Sequence, residues 1–223
     1  MSEVQPLDLV AFRPDRTVRQ LPAGHAIAGY ESLVRHWSSR LIEPLTARSI
    51  LAVEGPSDRI VLERVAELTG VDLDRLGIAV FDLDGAQLFP FAYDVFGPGG
   101  FDLRLTGLVD EDARAIWASA VGVDPADLET AGYVVCDPDL EGVYIDTLGV
   151  GTVIAMLLGS PQIGEASILA SCKVAAIGGV TRDLLWGYCK RRKVQAALAV
   201  AAVLDPAQAA SLAPLVAVLA LAV

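Results

Sequence analysis

The sequence predicts an α/β fold in which a parallel sheet is flanked by helices. From Ser49 onward, short apolar segments alternate with stretches of helical periodicity, a pattern typical of βαβ units. A second observation is that acidic residues follow every one of these apolar segments. A third is that the chain after Asp139 has helical periodicity almost throughout. The predicted strands are residues 49–53, 77–81, 102–109 and 133–136.

Helices are predicted between these strands. The first has Pro56 in its opening turn, one apolar face, and an end at Gly70. The segments FPFAYDVFG and DARAIWASAVG supply the next crossovers. The mostly helical C-terminal part closes with a long amphipathic run from Thr181 to Leu204.

The length of 223 residues suits one domain with an appendage. Residues 1–48 mix arginines with turn signals and are expected to form a partly helical lead-in segment. Residues 49–223 are expected to form the main domain, with a helical C-terminal extension over about 139–223.

The composition argues against a membrane protein and against export. Although 53% of residues are hydrophobic, no run approaches the roughly 18 uncharged apolar residues of a membrane span. The two longest runs, 194–204 and 212–223, are expected to be packed helices. The start MSEVQPLDLV lacks the basic end of a signal peptide, and three scattered cysteines indicate reduced thiols. We therefore expect a cytoplasmic protein.

The chain is acidic, with 17 Lys and Arg against 28 Asp and Glu and a net charge of −11. Bulk charge will not hold nucleic acid, so any such binding needs a local basic patch or bound cations. The sequence contains a basic cluster, formed by Lys190, Arg191, Arg192 and Lys193. In most proteins such a cluster is a solvated helix face. In this acidic chain the cluster favours a phosphate contact.

The acids at the strand ends are the strongest functional signal. The carboxyl ends of parallel strands meet at one edge of the sheet, where ligands gather. Several negative charges in one crevice repel each other unless cations neutralise them, and Mg²⁺ prefers such oxygen ligands. We take Asp137 and Asp139 as capping or turn residues because they flank Pro138. The remaining acids are Glu54, Asp82, Asp84, Asp110, Asp112 and Glu141.

Two of these segments resemble a known family. VEGPSD after an apolar strand, followed later by an apolar strand ending in DED, resembles the Toprim domain of topoisomerases, primases and certain nucleases. The closer resemblance is to the OLD (overcoming lysogenization defect) nucleases, supported by TARSILAVEGPSDR, DPDLEG and CKRRKVQAALAVA. It runs from about Leu45 to the C-terminus and implies a Toprim-like (Rossmann-like) fold.

The resemblance implies a DNA endonuclease that hydrolyses phosphodiester bonds with two ions, Mg²⁺ or Mn²⁺. One ion would activate the attacking water and the other would stabilise the leaving oxygen. Lys193 would contact the scissile phosphate, where negative charge builds up in the transition state. The implied catalytic residues are Glu54, Asp110, Asp112 and Lys193, and the implied metal-site acids are Glu54, Asp58, Asp110, Asp112 and Glu141. From the clustering of charge, and not from the resemblance, we expect Lys190, Arg191, Arg192 and Lys193 to bind DNA. From the residues alone, Asp58 could instead stabilise the first turn of its helix, and Glu141 could be a surface acid.

The sequence departs from the family pattern in two places. OLD proteins carry an ATPase domain ahead of the Toprim domain, but this sequence has no GxxxxGK[ST] motif, so we expect a stand-alone nuclease or one with a separate ATPase protein. The family has a Gly-Gly-Lys turn after the second strand, where this sequence has DLDGAQ. The lysine is absent, which puts in doubt the DNA or metal contact that this turn supports in the family. The family also implies a homodimer.

Two other functions fit parts of the sequence. AVFDLDGAQL resembles the first motif of haloacid dehalogenase phosphatases, with Asp82 as nucleophile, Asp84 as acid and base, and Mg²⁺ as cofactor. However, Ala86 stands where that motif has threonine, and VEGPSD would be unexplained. The other alternative is a Toprim-like module that binds DNA or a protein without catalysis.

Overall fold

The computed structural model describes residues 10–12, 18–20 and 46–223. Most of the predicted lead-in segment, including its predicted helical part, falls outside these residues. Its described parts are two short strands, β1 (Val10–Phe12) and β2 (Val18–Gln20), which pair antiparallel.

The main sheet has four parallel strands, which lie side by side in the order 78–82, 49–53, 104–110 and 133–136 and confirm the predicted fold class. Two strands differ from the prediction at both ends: one is 78–82 where the prediction is 77–81, and the other is 104–110 where the prediction is 102–109. Asp82 and Asp110 end their strands instead of following them, because Asp82 pairs in register with Val53 and Asp110 pairs with Cys136. The strands are β3 (Ser49–Val53), β4 (Ile78–Asp82), β5 (Arg104–Asp110) and β6 (Tyr133–Cys136).

Helices cover both faces of the sheet. On one face, Phe89 and Trp117 stack with ring centroids 3.8 Å apart, in a core shared with the strands. The first helix covers the other face and ends at Gly70 in the left-handed conformation, as predicted. These helices are α1 (Pro56–Thr69), α2 (Leu73–Leu76), α3 (Phe89–Phe96) and α4 (Arg114–Val121).

The chain after β6 is helical, as predicted, and the amphipathic run from Thr181 to Leu204 forms two helices. Arg192, with φ −137° and ψ 38°, interrupts it. The break lets the apolar faces on both sides pack into one core, which stabilises more than helix continuity would. The C-terminal helices are α5 (Leu140–Leu148), α6 (Val150–Gly159), α7 (Glu165–Cys172), α8 (Arg182–Lys190), α9 (Lys193–Val203), α10 (Pro206–Ser211) and α11 (Ala213–Ala222).

Two of these helices return to the sheet region. Helix α9 packs along α1, and α11 packs on β5 and β6. The buried Ser49 hydroxyl donates a hydrogen bond to the carbonyl oxygen of Ala222 at 3.0 Å. Because α9 packs along α1, its first residue, Lys193, lies near the carboxyl ends of the strands.

Within the described part of the chain, no single helix is both long and apolar enough to cross a membrane. The pair α5 and α6 meets the length and composition only when both helices are taken together across a 110° bend.

Candidate metal centre

Three carboxylates meet at the carboxyl edge of the sheet. Glu54 directly follows β3, Asp110 ends the neighbouring strand β5, and Asp112 lies in the turn after β5. Each offers an oxygen, and these oxygens lie within 4.8 Å of one another. One Glu54 oxygen accepts a hydrogen bond from the Asp110 backbone N–H at 2.9 Å, which ties the two strand ends together.

The chemistry of these donors fits a hard divalent cation. All three are carboxylate oxygens, the ligands that Mg²⁺ and Mn²⁺ prefer. Asp110 is buried, Glu54 is partly buried and Asp112 is exposed, so the cluster has a closed side and a side that faces solvent. A cation held there could keep water or substrate oxygens among its ligands.

Asp58 lies buried beside this cluster, only 5% exposed. Its Oδ2 accepts a hydrogen bond from the Gly55 backbone N–H at 2.9 Å at the start of α1. Its Oδ1 is buried and has no hydrogen-bond partner among the described residues. The helix-start role that the sequence left open is therefore present, and the second oxygen remains available to a ligand.

Glu141, in the first turn of α5, is 1% exposed, so the surface-acid alternative is wrong. Lys193 connects it to the triad. The Lys193 ammonium lies 3.3 Å from Asp110 Oδ2 and 3.4 Å from Glu141 Oε2. The first contact is a hydrogen bond and the second is an ion pair without hydrogen-bond geometry. The first residue of α9 therefore supplies positive charge to the sheet edge.

Burial and mutual repulsion raise the pKa of the acids in this cluster. Burial, followed by the Asp110 carboxylate, raises the pKa of Glu54 to about 7 and that of Asp58 to about 8. Burial also raises the pKa of Asp110 and of Glu141, while Lys193 opposes the rise in both. One lysine therefore does not neutralise the cluster. Such perturbed acids mark functional sites, and added positive charge would relieve the repulsion.

Although desolvation lowers it, the pKa of Lys193 rises above its ordinary value because Glu141 and Asp110 stabilise the ammonium. Lys193 is therefore positively charged throughout the physiological pH range.

A known family model matches the part of the chain that contains most of these acids. Residues 45–112 match the model of the overcoming lysogenization defect protein-like TOPRIM domain. This segment of the chain is therefore similar to an OLD-like Toprim domain. The matched segment includes Glu54, Asp58, Asp110 and Asp112, at the motifs on which the resemblance was based.

Solved structures extend the likeness beyond the matched segment. The C-terminal region of the Burkholderia pseudomallei OLD protein superposes with a TM-score of 0.58 and 24% identity, covering 78% of this chain and 96% of that one. The corresponding region of the Xanthomonas campestris pv. campestris OLD protein gives a TM-score of 0.58 and 21% identity, covering 80% and 95%. At these identities the likeness shows a shared fold. No curated protein matches the chain significantly.

Within the matched segment, the DLDG residues form a turn on the backbone around Glu54. The Leu83 N–H donates to the Val53 carbonyl at 2.9 Å, and the Gly85 N–H donates to the Glu54 carbonyl at 2.8 Å. Asp84 has a positive φ of 66°, which fits a tight turn. The segment that resembles a phosphatase motif therefore also has a structural role, because it supports the residue that begins the acid cluster.

The four basic residues before and at the start of α9 do not form one surface. Lys193 points to the acid cluster, as described above, and Lys190 pairs with Asp139 at 3.1 Å. The Arg191 guanidinium donates to the Ser171 hydroxyl, and the Arg192 guanidinium lies over the Tyr188 ring. Their common role in DNA binding stays a prediction.

Asp139 is the residue that sequence reasoning undervalued. It caps α5, as predicted, by accepting a hydrogen bond from the Gly142 N–H at 2.8 Å. The Trp186 indole N–H also donates to its two oxygens at 2.8 and 3.0 Å, in addition to the Lys190 ion pair. Its charge raises the pKa of Asp110. Its position two residues before Glu141 was the only local signal.

Proposed function

We propose that this chain is a divalent-metal-dependent DNA endonuclease of the OLD Toprim type, which hydrolyses phosphodiester bonds. The observation that carries the proposal is the meeting of Glu54, Asp110 and Asp112 within 4.8 Å, with the Lys193 ammonium 3.3 Å from Asp110. Acids from two strand ends beside a lysine suit a site that binds a cation and a phosphate together.

The residues would divide the work as follows. Glu54, Asp110 and Asp112 would hold Mg²⁺ or Mn²⁺, and the bound ions would supply activation of water and neutralisation of charge on the phosphoryl group. Asp58 and Glu141 would support them, Asp58 through its second oxygen. Lys193 would stay charged and would stabilise the negative charge that develops on the phosphoryl oxygens.

The proposal includes features beyond this site. The substrate is DNA, and the protein works in the cytoplasm, either alone or with a separate ATPase protein. We further propose a homodimer, and a Toprim domain that spans residues 49–223 together with its helical extension. The family match supports the Toprim nuclease class, and the acid cluster supports the metal requirement.

The test is plasmid cleavage. Supercoiled plasmid is incubated with the protein in Mg²⁺, in Mn²⁺ and in chelator, and nicked and linear products are measured. Asp110→Ala should abolish metal-dependent cleavage and keep a cooperative unfolding transition. Asp127→Ala, which removes an exposed acid outside the cluster, is the matched control and should retain activity. Full cleavage by Asp110→Ala would refute the proposal.

The same samples decide between the alternatives. A chromogenic phosphomonoester is assayed beside the plasmid. Phosphomonoesterase activity lost in Asp82→Asn, with plasmid untouched, would identify DLDG as the reactive motif. Metal-induced stabilisation without any turnover would instead identify a binding module.

A further inference from the structure

Two adjacent arginines differ from most other cations in the described residues, because neither has an acidic partner there. Arg59, Arg64, Arg75, Arg114, Arg182, Lys190 and Lys193 each pair with an Asp or Glu. Within residues 46–223, Arg191 and Arg192 have polar or aromatic partners only. In a chain of net charge −11, two uncompensated neighbouring guanidinium groups are a local exception that favours an anion.

Neutral groups hold both guanidinium groups in place. Arg191 Nη2 donates to the Ser171 hydroxyl at 2.8 Å. The Arg192 guanidinium lies 4.6 Å from the centre of the Tyr188 ring, and the Tyr188 hydroxyl lies 3.3 Å from the Ser167 hydroxyl. These contacts orient the guanidinium groups without cancelling their charge, so an incoming anion would meet donors that are already positioned.

The two arginines line an open groove of about 700 Å³ between α7 and the break before α9. The lining offers guanidinium and hydroxyl donors together with one methyl group, and it has no carboxylate. Such a set suits a phosphate group, which accepts several charge-assisted hydrogen bonds. The lining residues are Ser167, Ala170, Ser171, Arg191 and Arg192.

The groove adjoins the acid cluster through the chain itself. Arg191 and Arg192 directly precede Lys193, and consecutive Cα atoms are about 3.8 Å apart. Lys193 extends to Asp110, whereas the two arginines extend to α7 and α8. One polyanion can therefore contact the arginines and the acid cluster through different phosphates of the same strand.

We propose that this groove binds a backbone phosphate of the DNA a few nucleotides from the bond that is cut. The inference rests on the proposed function and refines it. Arg191 and Arg192 contact DNA, whereas the Lys190 ammonium is already paired with the buried Asp139 carboxylate at 3.1 Å.

The test is the salt dependence of DNA binding. Fluorescein-labelled 20-base-pair duplex is titrated with protein in chelator between 50 and 200 mM salt, and anisotropy is measured. The double variant Arg191→Gln/Arg192→Gln should lower the slope of log K against log salt by about 2, and affinity roughly tenfold at low salt. Arg75→Gln/Arg104→Gln removes the same charge from exposed positions elsewhere and should leave the slope near wild type.

A second variant separates charge from structure. Arg191→Lys/Arg192→Lys keeps both positive charges and should restore the slope. An unchanged slope and affinity in the Gln variant would overturn the proposal, as would absence of wild-type binding at 50 mM salt.

Cleavage assays keep this proposal separate from the nuclease proposal. With Mn²⁺, both proteins are assayed on plasmid and on a small chromogenic phosphodiester, and the Gln variant should cleave plasmid more slowly than the wild type. If the wild type cleaves neither substrate while the salt slope still depends on Arg191 and Arg192, the nuclease proposal fails and the groove stands. If the wild type cleaves plasmid and the variant equals it in both slope and rate, only the groove fails.

Discussion

Replacement of Asp58 by asparagine should stabilise the metal-free protein at neutral pH. The amide is nearly the same size and keeps an oxygen for the Gly55 N–H, which Asp58 Oδ2 now accepts at 2.9 Å. It removes a buried carboxyl that repels Asp110 and Glu141. A residue proposed to support metal binding should therefore cost stability when the metal is absent.

The stability lost because of the Asp58 carboxyl follows from its raised pKa. Asp58 has an ordinary pKa of 3.8 and a pKa of about 8 in the folded protein. Below the ordinary value the carboxyl is protonated in both states, so no stability is lost. As pH rises towards 8 the unfolded chain ionises while the folded protein keeps its proton, so the free energy of unfolding falls. At pH 7 this loss is about 4 kcal/mol.

We expect Asp58→Asn to recover roughly half of that loss, because the amide N–H groups must find acceptors near the buried Oδ1 position. A gain of roughly 2 kcal/mol corresponds to a rise in Tm of about 5 °C in a protein of this size.

The assay is thermal and urea unfolding in chelator at pH 4 and pH 8, for wild type, Asp58→Asn and the control Glu63→Gln. Glu63 lies on the same helix, and its side chain is 42% exposed beside Arg59. The gain should be large at pH 8 and near zero at pH 4, with little change in the control. Equal effects of Asp58→Asn at both pH values would refute the electrostatic reasoning. In Mn²⁺ the variant should gain less stability than wild type.

Three further outcomes are expected. Gly107→Ala should lower the free energy of unfolding, measured by urea titration, by about 2–3 kcal/mol, because a Cβ there would lie 2.5 Å from the Trp117 ring. The control Gly99→Ala has open space around it and should leave the free energy of unfolding unchanged. Lys193→Met should reduce plasmid cleavage at least roughly 100-fold. It should also lower the free energy of unfolding by about 3 kcal/mol, because it leaves the buried Asp110 and Glu141 without their cation. A wild-type cleavage rate in this variant would contradict the proposed role of Lys193. The rise in Tm caused by Mn²⁺ should grow from pH 6 to pH 8, because a cation must displace the proton that Glu54 holds with a pKa of about 7; a larger rise at pH 6 would contradict this.

The edge of the sheet that carries the acids could be predicted from local patterns. Glu54 follows one apolar segment, and Asp110 and Asp112 come at the end of another, and parallel strands bring their carboxyl ends to the same edge. Strand periodicity and the position of acids relative to strand ends are short-range properties. The spacing of the three carboxylates could not be read in this way, because it depends on the register of β3 against β5.

The basic segment shows where local reasoning fails. The amphipathic run from Thr181 to Leu204 gave no sign of the break at Arg192, after which α9 begins and packs along α1. That break separates the roles of residues that the sequence treats as one cluster.

The sequence by itself therefore determined the sheet, the order of its strands along the chain and the acids at one edge, since these depend on residues close together in the chain. Tertiary structure decided that Asp58 and Glu141 are buried, that Asp139 binds Trp186, and that Lys193 meets Asp110 across 83 residues. The physical reason is that burial and ion pairing depend on which surfaces pack together, and that distance between remote residues is absent from any local pattern.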